Sequence, residues 1–266
     1  MGKTSRTVCI APPLLLTFAS LICFLVIALA QVSAGGHSTS LQRDLYFFKV
    51  DTSRMILSSQ SLLDYLPDSI VGIQVPDAHQ TVEKSQNIKD FYAVGLFGYC
   101  EGDIDTETTR KEVVTYCSDW KLPFSFDPVA VWQLENTSVQ ANLGDRFTKG
   151  MDIYRKTIES THYVFIAMLA LNLLECIAGI LAVKGRLYSL CTTIIAFLQT
   201  MLAITTAVVA MITYIMLKGV FESVLRPYNV EGSLGLSLFS VLWFGVACSI
   251  ASSFFWSWSV CFCSGK

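Results

Sequence analysis

Charge is scarce in this chain. Lys, Arg, Asp and Glu make up 15% of its 266 residues, against about a quarter in an ordinary soluble domain, while 53% are hydrophobic. Histidine is scarcer still, with His37, His79 and His162 scattered along the sequence. Also missing are a GxSxG elbow, an HExxH zinc motif, a P-loop and a glycine-rich phosphate turn. These absences exclude the common hydrolase, metalloprotease and nucleotide-binding classes, so neither catalysis nor a cofactor or metal is expected. The formal net charge of −2 gives no basic surface for nucleic acid, which is not expected as a partner.

What remains is organised by apolar runs. A helix needs about 20 uncharged residues to cross roughly 30 Å of hydrocarbon, and four stretches qualify: Val8 to Ala30, Tyr163 to Val183 broken only by Glu175, Leu187 to Leu217, and Leu234 to Val260. The domain reading is an N-terminus at 1–7, spans at 8–30, 162–183, 189–217 and 234–260, a large loop at 31–161, short connections at 184–188 and 218–233, and a C-terminus at 261–266. Lys3, Arg6, Lys184, Arg186 and Lys266 fill segments without acids, which places both termini in the cytoplasm by the positive-inside rule. The 31–161 loop carries 18 acidic against 12 basic residues and is expected outside. Small-residue sites near Ala30 and Ala34 offer the alternative of a cleaved signal peptide. The 23-residue apolar run exceeds the roughly 7 to 15 of a signal core and favours a retained span.

Seven of nine cysteines lie in spans or at the C-terminus. Cys100 and Cys117 alone fall in the loop, where an oxidising compartment favours a bridge worth about 3 kcal/mol; two buried reduced thiols are the alternative. A sequon at Asn136 fits lumenal exposure and N-glycosylation. Cys261 and Cys263 are candidates for palmitoylation or unmodified interfacial thiols.

The loop has the length of a small domain. Leu45 to Val50, Phe91 to Cys100 and Glu112 to Cys117 read as strands, with an acidic hairpin tip from Glu101 to Arg110. Asp103, Asp105 and Glu107 alternate there as calcium candidates, but EF-hand spacing is missing and a solvated turn is the simpler reading. Val139, Leu143, Phe147, Met151, Tyr154 and Ile158 mark one face of a helix running into the second span.

Within the membrane Glu175 costs about 2.5 to 3.5 kcal/mol on insertion scales, with Asn172 on its face. It serves either a cation or proton path with Gln199 and Thr200 as neighbours, or helix packing through hydrogen bonds, which one acid without a second favours. Gly245, Ser249 and Ser253 form a small-residue ridge suited to close helix contact. Phe254, Phe255, Trp256 and Trp258 read as interfacial anchors.

Gly95, Leu96, Phe97, Gly98, Tyr99 and Cys100 (GLFGYC), Cys117 followed by Ser118, PFSFDP ending in Phe126, Asp127 and Pro128, and YFFKVDTS at Tyr46 to Ser53 together resemble the fungal Sur-seven/PalI family over most of the chain. The resemblance implies a membrane α-helical fold: a four-transmembrane-helix bundle with a claudin-like extracellular β-sheet domain in the first outer loop. It implies a non-catalytic plasma-membrane scaffold of the eisosome type that organises membrane domains and supports cell-wall integrity and stress tolerance. A PalI-like ambient-pH sensing subunit and a claudin-like regulator of calcium or ion uptake are the alternatives. The partners so implied are membrane lipids including sterols and other plasma-membrane proteins, and the small-residue ridge together with the absence of an active site adds lateral homo-oligomers to the expectation. Relatives often carry a long cytoplasmic tail, and only a few residues follow the fourth span here. A mating-induced claudin-like family shares the glycine and cysteine spacing of Gly95 to Cys100, but its arginine after the second cysteine is Asp119 here.

Overall fold

A computed structural model describes residues 3–32, 44–55, 88–105, 111–132, 144–183, 185–226 and 229–262. Its elements in chain order are α1 (Lys3–Leu29), β1 (Phe48–Asp51), β2 (Phe91–Val94), β3 (Tyr99–Asp105), β4 (Lys111–Cys117), the short α2 (Pro128–Val131), α3 (Gly144–Leu181), α4 (Arg186–Leu225), β5 (Glu231–Leu234) and α5 (Leu236–Phe262). They fall into two compact units. One holds 1–30, 157–212 and 236–266, and the other 31–156 with 213–235.

The helical unit is built from four helices, each containing a segment long and apolar enough to span a membrane: Cys9–Leu29, Phe147–Leu181, Leu187–Leu225 and Leu236–Ser259. Its burial differs from that of a water-soluble bundle, whose helices bury apolar side chains and expose polar ones: apolar side chains lie on both faces, and polar ones are found inside. In α1 the hydroxyls of Thr17 and Ser20 are buried, whereas Leu15, Phe18 and Ile22 are exposed. In α4 the inward face is lined by Ala196, Ala203, Ala207 and Ala210, while Ile194, Phe197 and Met201 point outward. Small residues let backbones approach where lipid offers no hydrophobic drive for association. Such a pattern is what a hydrocarbon solvent selects.

The sheet unit contains a five-stranded antiparallel sheet in the order β4-β3-β2-β1-β5. All four residues of the central strand β2 are buried, and aromatic rings fill the space around it: Tyr92 lies near Phe126 and Trp132, and Phe48 meets Phe221 edge to face. The ends of α3 and α4 that belong to this unit supply Phe147, Met151 and Tyr154 on one side and Tyr214, Leu217 and Phe221 on the other, all buried. Val139 and Leu143 of the expected stripe lie outside the described residues.

The strand expectations need three corrections. Phe91 to Cys100 is two strands, because Gly95 and Gly98 close a hairpin in which the Gly95 N–H donates to the Gly98 carbonyl at 2.8 Å. The acidic segment is not all turn, because β3 continues through Asp105 against Lys111. The connection before the last span contains β5, which pairs with β1 from Phe48–Leu234 to Asp51–Glu231.

Candidate functional site

Two sets of residues carry the sequence-level hypotheses, and each lies within one unit. In the sheet unit, Cys100 and Cys117 sit directly opposite each other on β3 and β4 and are bonded, with Cα atoms 4.0 Å apart. Ser118 extends the staple. Its Oγ accepts from the Tyr99 N–H at 3.0 Å and its own N–H donates to the Tyr99 carbonyl at 2.8 Å. Gly98 must be glycine because a Cβ there would stand 2.7 Å from the Gln31 carbonyl oxygen and 2.8 Å from Ser118 Oγ.

The hairpin tip is apolar and turned inward: Leu96 and Phe97 are both about 1% exposed, and Phe97 stacks on Trp120. Tyr214 secures this hairpin by donating to the Gly95 carbonyl at 2.8 Å. The second motif works the same way. Phe124 and Phe126 are buried, the Phe126 N–H donates to Tyr154 Oη, and Asp127 caps α2 through the Val129 N–H at 3.1 Å. Its other oxygen pairs with Arg155 at 2.9 Å, while Pro128 begins the helix, where a missing N–H costs nothing. In both motifs the buried aromatics, the glycines, the cysteine and Asp127 are engaged in holding the unit together.

Of the calcium candidates only Asp103 has a described side chain. Asp103 pairs with Lys89 at 2.8 Å, Asp105 lies at the end of β3, and Glu107 lies outside the described residues. Among the described residues no three His, Cys, Asp or Glu side chains are placed to hold a metal. Asn136 and Cys263 also lie outside them, as does the side chain of Cys261.

Burial around β3 perturbs its ionisable groups. Desolvation holds the Glu101 carboxyl above the usual carboxylate range, while the bond to Asp103 raises the Lys89 ammonium against the lowering effect of its own desolvation. Tyr92 and Tyr99 are each pushed up to about 12, mainly by desolvation. A raised tyrosine pKa means that the folded state disfavours tyrosinate. The stability is therefore whole below pH 10 and declines as pH rises from 10 toward 12. Absorbance of tyrosinate at alkaline pH should show Tyr92 and Tyr99 among the late-titrating phenols, all of which join the main transition when the protein is denatured.

In the helical unit the polar side chains form two layers. In the first, Glu175 Oε1 accepts from Thr17 Oγ1 at 2.7 Å, Ser252 Oγ at 3.0 Å and Trp256 Nε1 at 3.1 Å. The second runs through all four helices: Asn172 Nδ2 donates to Ser20 Oγ at 3.1 Å, Ser20 and Ser249 share a 2.7 Å hydrogen bond, and Gln199 Nε2 donates to Ser249 Oγ at 3.2 Å. Thr200 adds a bond to the Ser249 carbonyl.

Glu175 therefore takes its hydrogen bonds from α1 and α5, not from Gln199 and Thr200, which instead join Ser249. The small-residue ridge is likewise shifted. Gly245 faces Cys23 and Phe24, with 3.1 and 3.0 Å left for a Cβ, and Ser249 is buried, but Ser252 rather than Ser253 completes the face. Trp256 is fully buried and turned to Glu175, leaving Phe254, Phe255 and Trp258 as the exposed aromatics.

Replacing Glu175 by alanine is expected to cost about 2 kcal/mol. Thr17 and Ser252 can fall back on the Pro13 carbonyl, which both already reach, so the loss is one orphaned indole N–H and a cavity. Glutamine should cost less, because it keeps an acceptor. Unfolding of the two variants in mixed micelles, followed by helicity, measures the difference.

The sequence reading missed Thr17, Ser20, Ser252 and Trp256. The available signal was that Thr17 and Ser20, like Ser249 and Ser252, are hydroxyls three residues apart in otherwise apolar spans.

The family model for the SUR7/PalI family matches residues 9–255. The chain is also 20% identical over 244 residues to the SUR7 family protein pun1 of Schizosaccharomyces pombe, an alignment covering 81% of this chain and 82% of that protein. No solved structure matches. Since the matched region takes in the disulfide, both loop motifs and both polar layers as far as Ser252, the chain belongs to the SUR7/PalI family.

Proposed function

We propose that this protein is a non-catalytic scaffold of the fungal plasma membrane, which organises eisosome-type membrane compartments and thereby supports cell-wall integrity and stress tolerance. The observation that carries this reading is the employment of the signature residues: GLFGYC, Cys117-Ser118 and the Phe124, Phe126 and Asp127 of PFSFDP are engaged in internal bonds and packing, so the motif preserves a shape rather than presenting reactive groups. What the chain offers its surroundings is that shape together with exposed apolar helix faces.

In this reading both termini are cytoplasmic, and the sheet unit lies outside, where its disulfide and the Asn136 sequon belong. The partners are membrane lipids, sterols among them, other plasma-membrane proteins and further copies of the chain. A scaffold acts by lateral association, so particle mass measured in native lipid should exceed that of a monomer. Deleting the protein from its own cell tests the role itself. Dispersal of furrow domains with alkaline-pH signalling intact is the expected result; loss of that signalling with furrows intact would assign a pH-sensing role instead.

A further inference from the structure

The polar layers of the helical unit leave a specific imbalance. The four uncharged stretches from Val8, Tyr163, Leu187 and Leu234 contain no Lys, Arg or His, so no side chain inside the spans supplies a positive charge for Glu175. Buried His162 is 13 residues away on the same helix, about 20 Å along its axis. Oxygen acceptors are also in excess. Asn172 and Gln199 are each no more than 1% exposed, and both spend their amide N–H on a serine, leaving Asn172 Oδ1 and Gln199 Oε1 buried without a partner. The single 2.7 Å bond between Ser20 and Ser249 joins these two amides, and Glu175 is one helical turn from Asn172.

An unpaired buried carbonyl costs about 1 to 3 kcal/mol, and an uncompensated buried carboxylate more. A proton on Glu175 would supply one donor, enough for at most one of the two amide oxygens. A neutral water would serve the amides and leave the carboxylate charge in place. A divalent ion would bring two positive charges to a site with one carboxylate. The set of one carboxylate, two amide oxygens and neighbouring hydroxyls is oxygen-only, which is the ligand chemistry of hard cations.

We propose that the core of the helical unit binds one monovalent alkali cation, held by the amide oxygens of Asn172 and Gln199 with the Ser20 hydroxyl between them, and balanced in charge by Glu175. Such an ion ties all four helices together from a single point. It is a structural ligand and requires no conduction path.

The test uses the full chain in lipid nanodiscs. Binding of radioactive sodium and rubidium is measured alongside thermal unfolding in sodium, potassium and N-methylglucamine chloride at equal ionic strength. One alkali ion should bind saturably and raise the unfolding midpoint by several degrees over N-methylglucamine. Glu175→Gln, which keeps an acceptor for Thr17, Ser252 and Trp256, should retain its helicity and lose binding by at least ~10-fold, as should Gln199→Leu. Equal midpoints in all three salts with no saturable binding to the wild-type chain would overturn the proposal in favour of a water or a protonated Glu175. Undiminished binding by Glu175→Gln would overturn it as well.

Discussion

Replacing Cys100 and Cys117 together by serine is expected to lower the stability of the sheet unit by about 3 kcal/mol, the loop-entropy value for a bridge closing this length of chain. The loss is not offset locally. The cysteines form a directly opposed pair beside the bulge between Glu101 and Gly102, where β3 and β4 are not held by a regular ladder. Phe91 and Val114 pack on Cys100 and would meet a buried hydroxyl in place of its sulfur, with a half-buried one at position 117. Protease resistance of the purified chain with and without reductant reads this out. The wild-type protein under reductant should become as sensitive as the double variant, whereas spans in the helical unit should stay protected.

A substitution at Gly102 should be at least as severe. A Cβ built there stands 2.1 Å from the Val113 carbonyl oxygen and 2.6 Å from the Phe91 ring. The first of these is backbone, so no rotamer change relieves it, and the strand carrying it is fixed by the disulfide. Gly102→Ala should therefore cost about 3 kcal/mol or more, and it should do so with the disulfide still formed. Thermal unfolding of the variant, with thiol titration to confirm the intact bridge, separates this steric effect from loss of the staple.

Much of the architecture could be read from sequence because the membrane imposes simple requirements. Uncharged runs of sufficient length and two cysteines alone in a long loop each follow from one physical demand. The failures share a different origin. β5, with the sequence Glu231-Gly232-Ser233-Leu234, contains no β-branched or aromatic residue and is a strand only because β1 offers it an edge; strand formation is mostly tertiary context.

Ser253 was favoured over Ser252 because steps of four residues look regular. On a helix each such step advances the face by about 40°, so two of them leave it, whereas a step of four followed by one of three returns close to the start. Trp256 lies on that same corrected face. Glu175 could be recognised as exceptional from its position in a span, but which helices would supply its donors depends on packing between segments more than 75 residues apart. The hairpin at Gly95 to Gly98 was hidden by the apolar character of Leu96 and Phe97, since a buried turn carries none of the polarity that usually marks one.

That this chain acts by organising membrane is tested most directly by the localisation and lateral mobility of a tagged full-length protein in its own cell. Static peripheral patches that recover slowly after photobleaching, and that disperse when Cys100 and Cys117 are replaced by serine, are the predicted result. A uniformly distributed, rapidly recovering signal, or concentration at mating projections, would contradict it.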